Sequence, residues 1–405
     1  MIKILHTSDW HIGRRLKNHD RLGEFRKFFE WLEILIINEK IDVLLVSGDI
    51  FDNTTPSAQA QDIYYSFISK IVKSNCRHVV IISGNHDSPA LIDAPSELLK
   101  LLKIHVVGNA YNNPIDEVIT LYDENGKAEM IVCAVPYLRD RDVRILKGSQ
   151  ELQNIEEDLI NGIEKHYAKV FEYAKALQQE KNIPIIAMGH LFVKGGKTQS
   201  DDGVRALYVG TAVEISNNIF PDYLTYVALG HLHTSQKAGR EEIRYSGSPL
   251  AMGFDEAGQN KTVSIVEIDG KNLVNIKEVK VPIFQRLKKI EGDIEKIFED
   301  LQILSSKNES IWLDIVYNGT ETIGDLQDKL ESFVKNFPHL EILSIRDESV
   351  NFYANTKVFE LNIESITPLE MLELFFHENS TSENQREIFI SMYKEILNEA
   401  QNENT

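Results

Sequence analysis

The stretch "VVIISGNHDSPA", Val79–Ala90, decides how this chain is read. Its first five residues, Val79 to Ser83, are apolar or small, as in a strand buried on both faces. Gly84, Asn85, His86, Asp87, Ser88 and Pro89 follow, all polar or turn-forming. Taken alone, Gly-Asn after a strand is ordinary turn chemistry. Four other runs repeat the pattern. "ILHTSDWH" ends in Asp9 and His11, "VLLVSGD" in Gly48 and Asp49, "IIAMGH" in Gly189 and His190, and "YVALGHLH" in His231 and His233. Each alone reads as a turn or a hydrogen-bonded core histidine. Together they place seven oxygen and nitrogen donors at strand ends, and open α/β sheets collect ligands outside the carboxyl ends of their strands.

Working outward, strand-like runs alternate with helical patterns through the first half, with helices expected at about Arg21–Asn38, Ser57–Ser74, from Leu98, and Glu151–Lys181. From "YLTYVALGHLH" to "NLVNIKEVKV" the chain is mostly strands, which predicts a mixed or antiparallel sheet completing a sandwich. The expected fold class is therefore α/β, a β-sandwich flanked by helices. At "VPIFQRL" the pattern changes to strand, helix, strand, helix, strand, a small α/β domain. The expected divisions are 1–283, 284–348 and a linker with helical tail at 349–405. The tail carries two amphipathic patterns, "TPLEMLELFF" and "NQREIFISMYKEIL", neither able to bury its apolar face alone.

The 405 residues carry a formal charge of −19, which excludes nucleic-acid binding by bulk charge but leaves room for local basic patches and bound cations. Arg14, Arg15, Lys17, Arg21, Arg26 and Lys27 form one such early cluster. No apolar run approaches the roughly 20 residues of a membrane span. "MIKILHTSD" enters a strand without a signal-peptide pattern, so a cytoplasmic protein is expected. Cys76 and Cys133 lie far apart with no CxxC spacing, and Cys133, in the strand-like "EMIVCAVP", reads as a buried free thiol. "GGKT" at 195–198 is not a phosphate-binding loop, because the required first glycine is Leu191. No nucleotide is expected to bind this chain.

Mixed imidazole and carboxylate donors suit Mn²⁺, Fe²⁺ or Zn²⁺ better than Ca²⁺. Seven donors are too many for one ion. Two ions sharing a carboxylate, about 3.5–4 Å apart, can clamp the attacking and leaving oxygens of a phosphoryl transfer.

The ordered set "DWH", "GD", "GNHD", "GH" and "GHLH" resembles the calcineurin-like metallophosphoesterase superfamily. Within it, "HTSDWHIGR", "SGDIFDNTTPS", "SGNHDSP" and "GHLHTSQ…YSGSPLAMGFDE" are similar to the nuclease subunits of SbcCD-type exonucleases, over nearly the whole chain. The resemblance implies two divalent metal ions, with Mn²⁺ expected. Asp9, His11, Asp49 and His233 would hold one; Asp49, Asn85, His190 and His231 would hold the other. His86 would stabilise the transition state or protonate the departing sugar oxygen, with Asp87 holding its imidazole. Archaeal relatives carry a histidine at the position of Asp52, so the role of Asp52 is left open.

The resemblance further implies a DNA double-strand exonuclease and hairpin endonuclease serving DNA repair and recombination, associated with the nucleoid when on DNA. The small domain would cap the site and select DNA. Arg14, Arg15, Lys17, Lys194, Lys197 and Arg205 would face DNA. An SbcC-like coiled-coil ATPase would be the partner in a heterotetramer, docked through Leu369, Leu372, Phe375, Phe376, Ile388, Phe389, Met392 and Ile396. A homodimer through the N-terminal domain helices is also implied. Those helices carry two apolar stripes, Leu22/Phe25/Phe29/Leu32/Ile36 and Phe28/Trp31/Leu35, and the aromatics Tyr64, Tyr65 and Phe67, all of which core packing explains equally well. The competing functions are a phosphoesterase acting on small esters and a non-catalytic DNA-end scaffold. "GDIFDNT" in place of "GDxVDRG" speaks against a Ser/Thr protein phosphatase.

Overall fold

The computed structural model describes residues 1–143, 155–195, 213–307, 309–320 and 323–349. The tail positions Leu369, Leu372, Phe375, Phe376, Ile388, Phe389, Met392 and Ile396 lie outside the described residues, as do Lys197 and Arg205.

The chain opens β1 (Ile2–Thr7), α1 (Leu22–Glu39), β2 (Val43–Ser47), α2 (Ala58–Ile71), β3 (His78–Ile82), α3 (Pro89–Asp93), α4 (Ser96–Leu101) and β4 (Ile104–Val107). It continues with β5 (Val118–Tyr122), β6 (Ala128–Ala134), α5 (Asp140–Val143), α6 (Ile155–Lys181), β7 (Ile185–His190), β8 (Tyr226–Gly230), β9 (Gln236–Ala238) and β10 (Arg240–Tyr245). It then runs through β11 (Thr262–Asp269), β12 (Asn272–Lys280), β13 (Arg286–Gly292), α7 (Ile294–Ser305), β14 (Ile311–Tyr317), α8 (Leu326–Val334) and β15 (Leu340–Asp347).

Two six-stranded sheets form the sandwich, ordered β12-β11-β1-β2-β3-β4 and β5-β6-β7-β8-β10-β9. In the first sheet β1 to β4 are parallel, with β11 and β12 antiparallel at one edge. In the second, β6, β7, β8 and β10 are parallel, so the strand-rich second half is mixed.

The runs are continuously apolar because both faces of each sheet are covered. Side chains alternate along a strand. Ile4, Val43, Leu45, Val80 and Ile82 meet Met130, Val132, Ile186, Met188, Tyr226 and Ala228 between the sheets. Leu5, Leu44, Val46, Val79 and Ile81 face the core that includes α1 and α2. Ile131, Cys133, Ile185, Ala187, Val227 and Leu229 face the core under α6.

The apolar surplus on α1 goes into this core. Leu22, Phe25, Phe28, Phe29, Leu32 and Ile36 are all buried, and Trp31 and Leu35 are partly buried against them. Phe29 stacks near Phe67 of α2 at 4.6 Å between ring centroids, and Tyr64 is buried. The stripes read as a candidate interface therefore pack inward; the apolar residues these helices expose are Ile34, Ile37 and Tyr65. Ser57 starts α2 by accepting the Ala60 N–H at 3.2 Å, as an N-cap serine does. Both cysteines are buried free thiols, and burial pushes Cys76 up to about 12, which makes it inert.

The described residues divide into two compact units, Met1–Lys288 with Ser310–Trp312, and Lys289–Glu309 with the described residues from Leu313 to Ser349. β13, β14 and β15 form a three-stranded sheet in that order. α7 and α8 bury Ile297, Leu301, Leu304, Leu326, Leu330 and Val334. No helix among the described residues is long and apolar enough to cross a membrane.

Candidate active site at the strand ends

The parallel strands bring their carboxyl ends to one edge of the sandwich, and backbone pairing continues past them. Asp9 N–H donates to Gly48 O at 3.0 Å, and His11 N–H to Asp49 O at 2.9 Å. Between the two donors Trp10 is wholly buried, packed edge-on to Phe29 and Phe67, with its indole N–H on Thr7 Oγ1 at 3.0 Å. This anchor turns Asp9 and His11 the other way.

Two glycines are required by close approach. A Cβ on Gly84 would lie 2.1 Å from Asp49 Oδ1, and one on Gly230 would lie 1.9 Å from Ser47 O. Gly230 thus lets the two sheets touch under the site. Asp9, His11 and Asp49 have φ near +50°, and His231 has φ +106°. Left-handed backbone at non-glycine residues is costly and clusters at functional sites.

The predicted donors converge. Asp9, His11 and His233 form one cluster of potential ligand atoms within 4.8 Å of one another, and Asp9, Asp49 and His190 form another. Asp9, His11, Asp49, His190, His231 and His233 are all at most 5% exposed. Asp49 Oδ2 lies 3.5 Å from His11 Nε2 and 3.4 Å from His190 Nε2, so it faces both clusters. Its Oδ1 accepts the His86 N–H at 2.9 Å. Asn85 Oδ1 lies 3.0 Å from His190 Nε2 and 3.1 Å from His231 Nδ1. Asp9 accepts from Ser8 Oγ at 2.5 Å and from the His231 N–H at 2.9 Å.

The buried donors act strongly on one another. Burial raises Asp9 from the usual carboxylate range. Burial would also raise Asp49, but His190 and His11 outweigh it and hold it well below that range. Burial would lower His190, yet Asp49 and Asp9 bring it up to about 9, while burial and His190 push His231 down to about 3. His11 Nε2 is buried without a hydrogen bond, 3.5 Å from Asp49 Oδ2, while His11 Nδ1 and His233 Nδ1 face the carboxylates of Asp52 and Glu256, each at 3.5 Å. Buried polar atoms are normally satisfied. An unpartnered imidazole nitrogen beside the buried carboxylates of Asp9 and Asp49 is what a divalent metal centre requires, so the donor set fits.

His86 is half-buried, 4.9 Å from the His11 ring between centroids. Its Nδ1 faces Asp52 O at 3.0 Å, which fixes the tautomer with Nε2 free of a proton or available to carry one. Asp87 does not hold this imidazole, contrary to the expectation from the sequence. It is fully buried and accepts three backbone N–H groups: Gly84 at 2.8 Å, Ile50 at 3.1 Å and Phe51 at 2.9 Å. Burial and the nearby Asp49 raise it to about 7. Asp87 ties the loop after β2 to the turn after β3.

The role left open for Asp52 is now visible. Its Oδ1 is 3.5 Å from His11 Nδ1 and 3.1 Å from Arg14 Nη1. Burial would raise its carboxyl, but His11 and Arg14 bring it below the usual range. It backs His11 with its side chain and His86 with its main chain. Arg14 also donates to Met252 O at 3.2 Å, so it is engaged inside the protein and is not a free cation on the approach. Arg15, Lys17 and Lys194 are exposed.

Sequence reasoning missed several neighbours. Glu256 stands 3.5 Å from His233 Nδ1. Tyr137 places its ring edge-on to His190 at 6.2 Å, and Arg139 donates to Asp87 O at 3.1 Å. The last two follow β6, so the strand-end rule that found the donors also pointed to "VPYLRD".

The calcineurin-like phosphoesterase family matches residues 2–235, which span every one of these strand-end donors. The chain belongs to that family. A second family, described as type 5 capsule protein repressor C-terminal domain, matches residues 283–380. SbcD of the SbcCD nuclease from Escherichia coli strain K12 is 32% identical over 350 residues, 85% of this chain and 85% of that protein. The SbcD proteins of Rhodobacter capsulatus and Bacillus subtilis are 34% and 33% identical over 275 and 272 residues, each about two thirds of both chains. As a family member the chain is a metal-dependent phosphoesterase.

Proposed function

We propose that this phosphoesterase is a two-metal DNA nuclease subunit that works with an SbcC-like ATPase. The observation that carries the reading is the buried convergence of Asp9, His11, Asp49, His190 and His233, with His11 Nε2 left without a partner among them. Asp9, His11, Asp49 and His233 would hold one divalent cation, and Asp49, Asn85, His190 and His231 the other, with Asp49 common to both. Mn²⁺ suits this donor set. Bound there, two cations supply an activated water and neutralise charge developing on phosphorus.

The chain's own groups do the rest. Asp52 O holds His86 Nδ1, so Nε2 is the atom that gives a proton to the departing sugar oxygen. Ser47 O holds His190 Nδ1 at 2.8 Å, directing Nε2 inward. Asp87 holds the two loops in register and takes no part in proton transfer. Arg15, Lys17 and Lys194, with Lys197 and Arg205 beyond the described residues, position the phosphate backbone. The small α/β region selects DNA, and the tail from Asn351 docks on the ATPase. The exposed Ile34, Ile37 and Tyr65 form the homodimer contact.

End-labelled duplex and hairpin DNA, incubated with the full chain, Mn²⁺ and the ATPase partner, test the reading. Cleavage that disappears without metal and in His86→Ala is expected. Hydrolysis restricted to small phosphoesters would overturn it.

A further inference from the structure

Behind His233 lies a buried ion pair that the proposed chemistry does not use. The side chains of Lys261 and Glu256 are 9% and 5% exposed, and Lys261 Nζ lies 2.6 Å from Glu256 Oε2. That oxygen also accepts the Met252 N–H at 2.7 Å. Glu256 Oε1 lies 3.5 Å from His233 Nδ1. Lys261 Nζ donates in addition to His233 O at 3.1 Å and to Ser248 Oγ at 3.0 Å. The pair therefore flanks His233 at both its main chain and its ring.

Desolvating two charges is expensive, and a buried ion pair is weak evidence for stability. Its geometry offers a better reason for its presence. His233 follows the end of β8 and lies in no helix or strand. A metal-ligating histidine commonly gives its second nitrogen to a carboxylate, which fixes tautomer and ring orientation.

We infer that Glu256, clamped by Lys261, is the positioning residue of His233. It turns Nδ1 to its carboxylate, leaves Nε2 for the cation, and raises the basicity of that nitrogen as a ligand. Asp52 backs His11 on the same side, whereas His190 is backed by the neutral Ser47 carbonyl. That side therefore binds divalent cations more tightly than the Asn85–His190–His231 side. The inference rests on the two-cation reading above.

Calorimetric titration of Mn²⁺ into the full-length chain tests it, with thermal unfolding in chelator and long-range ¹H–¹⁵N histidine spectra of the metal-free protein. Wild type should bind two ions of unequal affinity. Glu256→Gln should weaken the tighter site about 10- to 100-fold, leave the other unchanged, and cost the His233 ring its single tautomer. Because Glu256→Gln strands a buried lysine, the double variant Glu256→Gln/Lys261→Met removes both charges and should show the same selective loss. Wild-type affinities retained in both variants, or equal losses at both sites, overturn the inference while leaving the two-cation reading intact. A wild-type protein that binds no Mn²⁺ overturns both.

Discussion

The half of the centre built on His11 and His233 and the half built on His190 and His231 share the end of β8 but have different supports. His11 and His233 are backed by carboxylates, Asp52 from the loop after β2 and Glu256 from a single 3-10 turn at Phe254–Glu256. His190 is backed by the main chain of Ser47 on the opposite sheet, and His231 meets the side-chain amide of Asn85. In the second half His190 is thus held by the packing of the sandwich itself. The first depends on side chains that substitution can remove while the strands stay in place. Asp49 belongs to both halves through one oxygen.

Breaking the shared residue should have the largest effect. Asp49→Asn keeps an acceptor for the His86 N–H but removes the charge facing both histidine pairs. It should abolish stoichiometric Mn²⁺ binding at both halves and reduce phosphodiester hydrolysis by about 10³-fold or more, read by metal analysis and single-turnover assays. Loss of one ion alone would show that Asp49 serves one half.

His86→Gln should separate chemistry from assembly. Hydrolysis should fall about 10²- to 10⁴-fold, the range for a lost general acid, with metal content and melting temperature near wild type. A parallel loss of metal would instead place His86 among the ligands, in the cluster it forms with His11 and Asp52.

Asp87→Ala should act in neither half and destabilise the platform beneath both. Three buried N–H groups would lose a charged acceptor, at about 1–3 kcal/mol each when left unsatisfied. Chemical denaturation of the metal-free protein should show a loss of about 3–5 kcal/mol. Unchanged stability with a selective loss of turnover would restore the catalytic role first expected of Asp87.

These contrasts also mark what the sequence could tell. The strand-end donors are legible because a continuous apolar run must be buried on both faces, and a polar residue after it has only the sheet edge to occupy. The apolar runs ending in Gly48, Gly84 and Gly230 are of this kind. Along β3, Val80 and Ile82 point between the sheets while Val79 and Ile81 point toward the helices, so no polar face interrupts the run.

The supports were not legible, for a physical reason. Asp52 and Glu256 sit in polar, turn-rich stretches that read as loop, and only tertiary packing brings them to His11 and His233. Asp87 misled because it follows His86 directly, whereas its acceptor oxygens are claimed by backbone donors of the neighbouring loop, 36 and 37 residues away. The stripes of α1 misled in the opposite sense. Their apolar excess is consumed by Trp10, the first sheet and α2, and leaves Ile34 and Ile37 outside. The strained φ angles at Asp9, His11, Asp49 and His231 had no signal in composition at all.

Whether two cations share Asp49 can be seen by anomalous diffraction from crystals of the full-length chain grown with Mn²⁺. Two peaks about 3.5–4 Å apart are expected, with Asp49 between them, one peak beside His11 and His233 and the other beside His190 and His231. A single peak, or peaks away from Asp49, would contradict that sharing.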